Sequence, residues 1–178
     1  MDELVPFGSQ QYFAYVSLLL FARGMDILST RIATPNLVLE ANPLARRLSW
    51  RWGIPVNILF CVGFAVMPLT AIIISTTSVM VAARNFQLAW LMRSYGEENY
   101  RSWFLERLEE TPPGLFLLCL LAQTSLLAGV GGVLMYYSDI QHLVQFGIGL
   151  GIIGYAAAIL IFTVIALWRH RRVVRRKS

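Results

Sequence analysis

RGMDILSTRIATPNLVLEANPLAR, residues 23–46, sets charges and prolines into a run whose hydrophobicity otherwise asks for a helix in lipid. Arg23, Asp26 and Thr30 recur at i, i+3 and i+7, which places all three on one helical face. A charge at mid-bilayer costs from about 2.5 kcal/mol upward, so such a face turns inward, pairs its charges or lines a wet cavity. Arg23 and Asp26 are spaced to pair with each other. The pattern stops at Thr34-Pro35 and resumes after Asn42-Pro43. Each proline disfavours helix at the residue before it, so 35–43 reads as a loop or short re-entrant turn.

The rest of the chain fits a membrane setting. Its 178 residues suit one domain, and 57% hydrophobic residues with a mean hydropathy of +0.60 lie beyond a soluble globular protein. The sequence predicts an all-α integral membrane four-helix bundle in a single membrane domain, with spans at about 12–32, 55–83, 115–137 and 143–168. MDELVPFGSQQ has no basic leader or small-residue cleavage site, so the first span is expected to stay in the mature protein. Pro55 suits a first helical turn, and Pro68 predicts a kink in the middle of the second span. Ser75, Thr76, Thr77 and Ser78 read as packing residues, and Cys61 and Cys119, each in an apolar run, as buried thiols. In the fourth span Gly147, Gly151, Gly154 and Ala158 share a face that would let a neighbouring backbone approach.

Residues 84–111 interrupt the hydropathy with four arginines, five glutamates and interleaved aromatics. Tyr100, Trp103, Phe104 and Leu108 fall on one helical face, which predicts an interfacial amphipathic helix over 97–110. The carboxylates outnumber the arginines, which argues against nucleic acid as a partner.

Orientation follows from charge. Six of the fifteen basic residues lie between Arg169 and Lys177, so the tail 169–178 is expected in the cytoplasm. Four spans then put both termini cytoplasmic in the cell membrane, with 84–111 inside and residues 33–54 and 138–142 forming outer loops. That arrangement leaves Arg46, Arg47 and Arg51 outside, against the positive-inside tendency, unless carboxylates hold them within a folded cap. The candidate polar site gathers Arg23, Asp26 and Thr30 of the first span with Glu40 and Asn42 of a structured first outer loop and Asp139 and His142 of the second. Together they would form one outward-facing pocket, or else a salt-bridge network that pins the loop to the bundle.

The pattern Asp26-x-x-x-Thr30 followed by Glu40-x-Asn42-Pro43 resembles the signature of a family of small uncharacterised prokaryotic polytopic membrane proteins, a domain of unknown function, over roughly residues 20–80. Members usually carry glycine near the position of Leu37 to Leu39, where this chain has none, and the resemblance implies no reaction. In length, topology and the opening Asp26, Ser29, Thr30 and Arg31, the chain is also similar to lipoprotein signal peptidases. That likeness implies an intramembrane aspartyl-type hydrolase in which Asp26 shares a proton with Asp139 or Glu40. The later motifs of those enzymes are missing from the third and fourth spans.

No Gly-rich phosphate loop, HExxH or paired intramembrane histidines occur, and His142 and His170 stand apart, so no cofactor is expected. A metal at Asp26, Glu40 and Asn42 would be a hard ion such as Ca²⁺ or Mg²⁺. Solute transport by four spans without a repeat would require oligomerisation. The leading expectation is a non-enzymatic membrane protein, an accessory subunit or small binding module. Its partners would be membrane lipid and another membrane protein or a second copy of itself.

Overall fold

The computed structural model describes residues 4–40, 43–138 and 142–175, the side chains of 43–45 and 169–175 excepted. Among the described residues the fold is all-helical: α1 (Gln10–Ala33), α2 (Pro43–Phe64), α3 (Pro68–Tyr95), α4 (Glu97–Glu110), α5 (Pro113–Tyr137) and α6 (Leu143–Arg175). Four stretches are long and apolar enough to cross a membrane: Gln10–Ala33, Pro68–Tyr95, Pro113–Tyr137 and Leu143–Trp168. Their exposed side chains include large apolar ones, as lipid demands; Leu126 is 73% exposed and Phe21 65%.

Prolines and caps set the helix boundaries. Ser9 opens α1, its Oγ accepting from Tyr12 N at 3.2 Å. The apolar run expected to be one span over 55–83 is two helices. Met67 is extended at φ −115° and Pro68 takes the first turn of α3, where its missing N–H costs nothing. Pro55, expected at a helix start, lies inside α2; that helix bends instead at Ser49, a non-glycine residue at φ 53°. The loss of hydropathy at Arg84 does not end α3, which continues to Tyr95. Gly96, at φ 77°, makes the turn into α4.

Hydrogen bonds fix the helix directions. Val5 N donates to Val66 O at 3.0 Å beside the start of α3, and Asn85 Nδ2 of α3 donates to Thr30 Oγ1 near the end of α1 at 3.1 Å. Thus α1 and α3 run parallel. In the chain between them α2 returns antiparallel along the side of this directly packed pair: Trp50 Nε1 donates to Pro35 O at 2.8 Å, and Tyr12 OH donates to Val62 O at 3.1 Å. On the other flank of α3, Gly147 lies against Ile72 and Gly151 against Thr76, so α6 is also parallel to α3. Helix α5 is antiparallel to α6, with Gly131 meeting Gly149 and Leu120 packing with Tyr155 and Ile159.

Beside the four helices long and apolar enough to cross a membrane, α2 adds a fifth, shorter passage along the bundle among the described residues. The start of α1 and the close of α6 lie at opposite ends of this bundle, because α2 and α3, read from hydropathy as one span, run in opposite directions. The segment of α2 beyond the bend at Ser49 is short and begins Trp50-Arg51-Trp52. Cys61 is buried as expected, whereas Cys119 is exposed on α5.

Candidate functional site

The predicted face of α1 packs into the seam that α1 shares with α2 and α3. Arg23 Nη1 donates to Asp26 Oδ2 at 2.7 Å and to Ser78 Oγ of α3 at 3.2 Å. Arg23 Nε donates to Asn57 Oδ1 of α2 at 2.8 Å, and Nη2 donates to the same oxygen. Asn57 is itself held by its Nδ2, which donates to Gly53 O at 2.7 Å. One guanidinium thus ties three helices together through its planar fork of donors. Its side chain remains 32% exposed and that of Asp26 16%, so the pair lines the edge of the seam and is not sealed within it.

One helical turn nearer the end of α1, Ser29 Oγ donates to Asp26 O at 2.9 Å. Asn85 Nδ2 donates to Thr30 Oγ1, with Ser29 Oγ at 3.4 Å from the same amide. Thr30 therefore belongs to a second, neutral patch and makes no direct bond to the Arg23–Asp26 pair.

Glu40 lies half-buried in the loop after α1. The loop that carries it is tied down from the far side by Glu97, the first residue of α4. Glu97 Oε2 accepts from Thr34 Oγ1 at 2.7 Å and Val38 N at 3.1 Å, and Oε1 accepts from Asn36 N at 2.9 Å and Asn36 Nδ2 at 3.0 Å. Thr34 Oγ1 in turn accepts from Leu39 N at 3.1 Å. Partial burial alone would push the Glu97 carboxyl up; the bonds from Thr34, Asn36 and Val38 outweigh it and hold the pKa below the usual carboxylate range. Leu37, at φ 56°, makes the reversal that aims these backbone N–H groups at one carboxylate. Beside it a cleft of about 530 Å³ opens among Pro35, Asn36, Val38, Met92, Arg93 and Glu98.

Of the residues expected to converge, Arg23, Asp26 and Glu40 share one neighbourhood and Thr30 adjoins it. Asn42 and Asp139 lie outside the described residues. His142 is exposed beside the start of α6, at the bundle end where α3 begins, and so at the opposite end from Glu40. It takes no part in a common pocket, because the extra pass of α2 carries residues 33–40 and the α5–α6 turn to opposite ends. Asn57, Ser78, Asn85 and Glu97 were not anticipated as site residues. The first three had a readable signal, being polar groups in or beside apolar runs; Glu97 looked like one more charge on an amphipathic helix.

Chemically the seam offers a neutralised cation–anion pair with amide and hydroxyl neighbours. Among the described residues no group of three or more His, Cys, Asp or Glu side chains is arranged to hold a metal ion. The guanidinium already occupies one Asp26 oxygen, and it would repel a cation there. Comparison with family models, curated proteins and solved structures finds no match to this chain.

Proposed function

We propose that this polytopic membrane protein is a small binding module or accessory subunit of the cell membrane, and that the seam around Arg23 and Asp26 is its working surface. The observation that carries this reading is the ion pair itself, bonded to α2 and α3 and left partly open at its edge. A buried salt bridge gives little net stability over apolar packing, so its presence within a span points to a role in recognition. It suits a ligand or partner segment that carries both a donor and an acceptor, such as a zwitterionic or amide-bearing group. Membrane lipid, another membrane protein and a second copy of the chain all present such groups.

Native mass spectrometry from mild detergent tests the proposal. The wild-type chain should retain a small-molecule or protein adduct, and the folded double variant Arg23→Leu/Asp26→Leu should lose it. Bare chain mass in both would contradict the proposal.

The alternative is an aspartyl-type hydrolase. It is favoured by the placement of Glu40 in the loop that directly follows the helix carrying Asp26. Two carboxylates that share a proton could activate water, and Glu40→Gln would then abolish turnover of a peptide substrate while leaving adduct retention unchanged.

A further inference from the structure

The five-pass path redistributes every charge of the chain. One end of the bundle is formed by the start of α1, the α2–α3 junction and the α5–α6 turn. Residues 1–22, 52–83 and 108–168, the stretches of sequence that contain that end, hold no lysine or arginine. The other end receives the close of α1, the first part of α2, the end of α3, all of α4 and the close of α6. Apart from Arg23 and Arg84, which lie within α1 and α3, every basic residue among the described ones belongs to it. The same end carries all five tryptophans: Trp50, Trp52, Trp90, Trp103 and Trp168. Trp52 is 61% exposed and Trp90 68%, the placement of side chains that settle at headgroup level.

Much of the acidic charge at this end is already answered within the protein. Glu97 is bound by the loop after α1, and Arg107 pairs with Glu110 at 2.7 Å and lies 3.7 Å from Glu106. Arg31, Arg46, Arg47 and Arg51 are exposed around the α1–α2 connection. Arg51 directly precedes the exposed Trp52 in the chain.

We infer that this arginine- and tryptophan-rich end is a collar that binds anionic phospholipid in the cytoplasmic leaflet, with the start of α1 on the outer side of the membrane. This orientation removes the conflict that four spans create, because Arg46, Arg47 and Arg51 join the basic tail on the inner side. It also places α4 along the inner membrane surface and sets the Arg23–Asp26 seam nearer the inner leaflet. The lipid contact is independent of what the seam binds.

Two measurements test it. In full-length protein whose Cys61 and Cys119 are replaced by alanine, a cysteine at Gln11 should react with an impermeant maleimide on intact cells. A cysteine at Ser94 should react only after permeabilisation. Equal accessibility of the two sites, or the reverse order, overturns the orientation. In reconstituted bilayers the tryptophans report the lipid directly. Phosphatidylglycerol brominated near the headgroup should quench them more strongly than equally brominated phosphatidylcholine, by up to about fivefold in relative binding per arginine engaged. The preference should fade with added salt and fall towards unity in Arg46→Gln/Arg47→Gln/Arg51→Gln. Equal quenching by the two lipids in the wild-type protein at low salt overturns the collar.

Discussion

Helix α3 has two working faces, and they are held in different ways. Towards α6 the contact is made by small residues: Gly147 and Gly151 seat Ile72 and Thr76, and Thr77 Oγ1 donates to Gly151 O at 3.1 Å. Beyond it Gly131 and Gly149 bring α5 and α6 together almost backbone to backbone. Towards α1 and α2 small residues are present as well, with Ala22, Ala71 and Ser29 buried, yet a guanidinium, a carboxylate and two amides are added. The α6 side shows that close packing suffices to hold helices together in lipid. The charges on the α1 side are therefore more than assembly needs, and the recognition proposal rests on that contrast.

The largest effect should come from breaking the ion pair on one side only. Asp26→Asn leaves an arginine without its counter-charge and should cost about 3–5 kcal/mol in thermal unfolding in detergent. Arg23→Leu with Asp26→Leu should be milder than either single change, since both desolvated charges go together. Additive single effects would mean that the pair does not act as a unit.

On the glycine side, a Cβ at position 149 would lie 2.6 Å from Gly131 O and 2.8 Å from Met135 Cγ. Gly149→Leu should then cost about 1–3 kcal/mol by forcing α5 and α6 apart. Gly132→Leu, with open space around it, should leave the unfolding midpoint nearly unchanged. Equal effects at the two positions would remove the close approach from the account.

Glu97→Gln should cost roughly 1 kcal/mol, because charge-assisted bonds at a half-exposed carboxylate are discounted by solvent. The pH dependence is more specific. The folded-state pKa of Glu97 is lowered, so its contribution is complete above the ordinary carboxylate value of 4.5 and is lost as pH falls through the lower folded value. Melting curves from pH 7 down to pH 3 should show this component in the wild type and lack it in Glu97→Gln. The smallest change is expected for Thr30→Val, about 0.5 kcal/mol, since it removes one neutral bond from Asn85 and touches no charge.

The sequence made legible whatever depends on local pattern. The helix over 97–110, the proximity of Arg23 and Asp26 and the close glycine face of α6 all follow from spacing, whereas Pro68, expected to kink one span, separates two helices. What it concealed was the path. Residues 55–64 and 68–83 form one apolar run with no charge between them, so two helices of opposite direction read as a single span, and which bundle end each later turn falls at changes with that count. Asp26 and Glu40 could be grouped because only a short loop separates them. His142 was grouped with them through the parity of spans, and the α2 pass undoes that. Glu97 depends on a backbone reversal at Leu37, where nothing in the residue type announces a positive φ.

The central claim, that α1 and α3 run parallel because α2 returns antiparallel between them in the chain, can be measured as spin-label distances in the full-length protein. Labels at Gln11 and Met67 should lie at the same end and give a short distance. Labels at Gln11 and Ser94 should be separated by nearly the length of α3, about 40 Å at 1.5 Å per residue. A short distance from Gln11 to Ser94 with a long one from Gln11 to Met67 would make α1 and α3 antiparallel and contradict the five-pass fold.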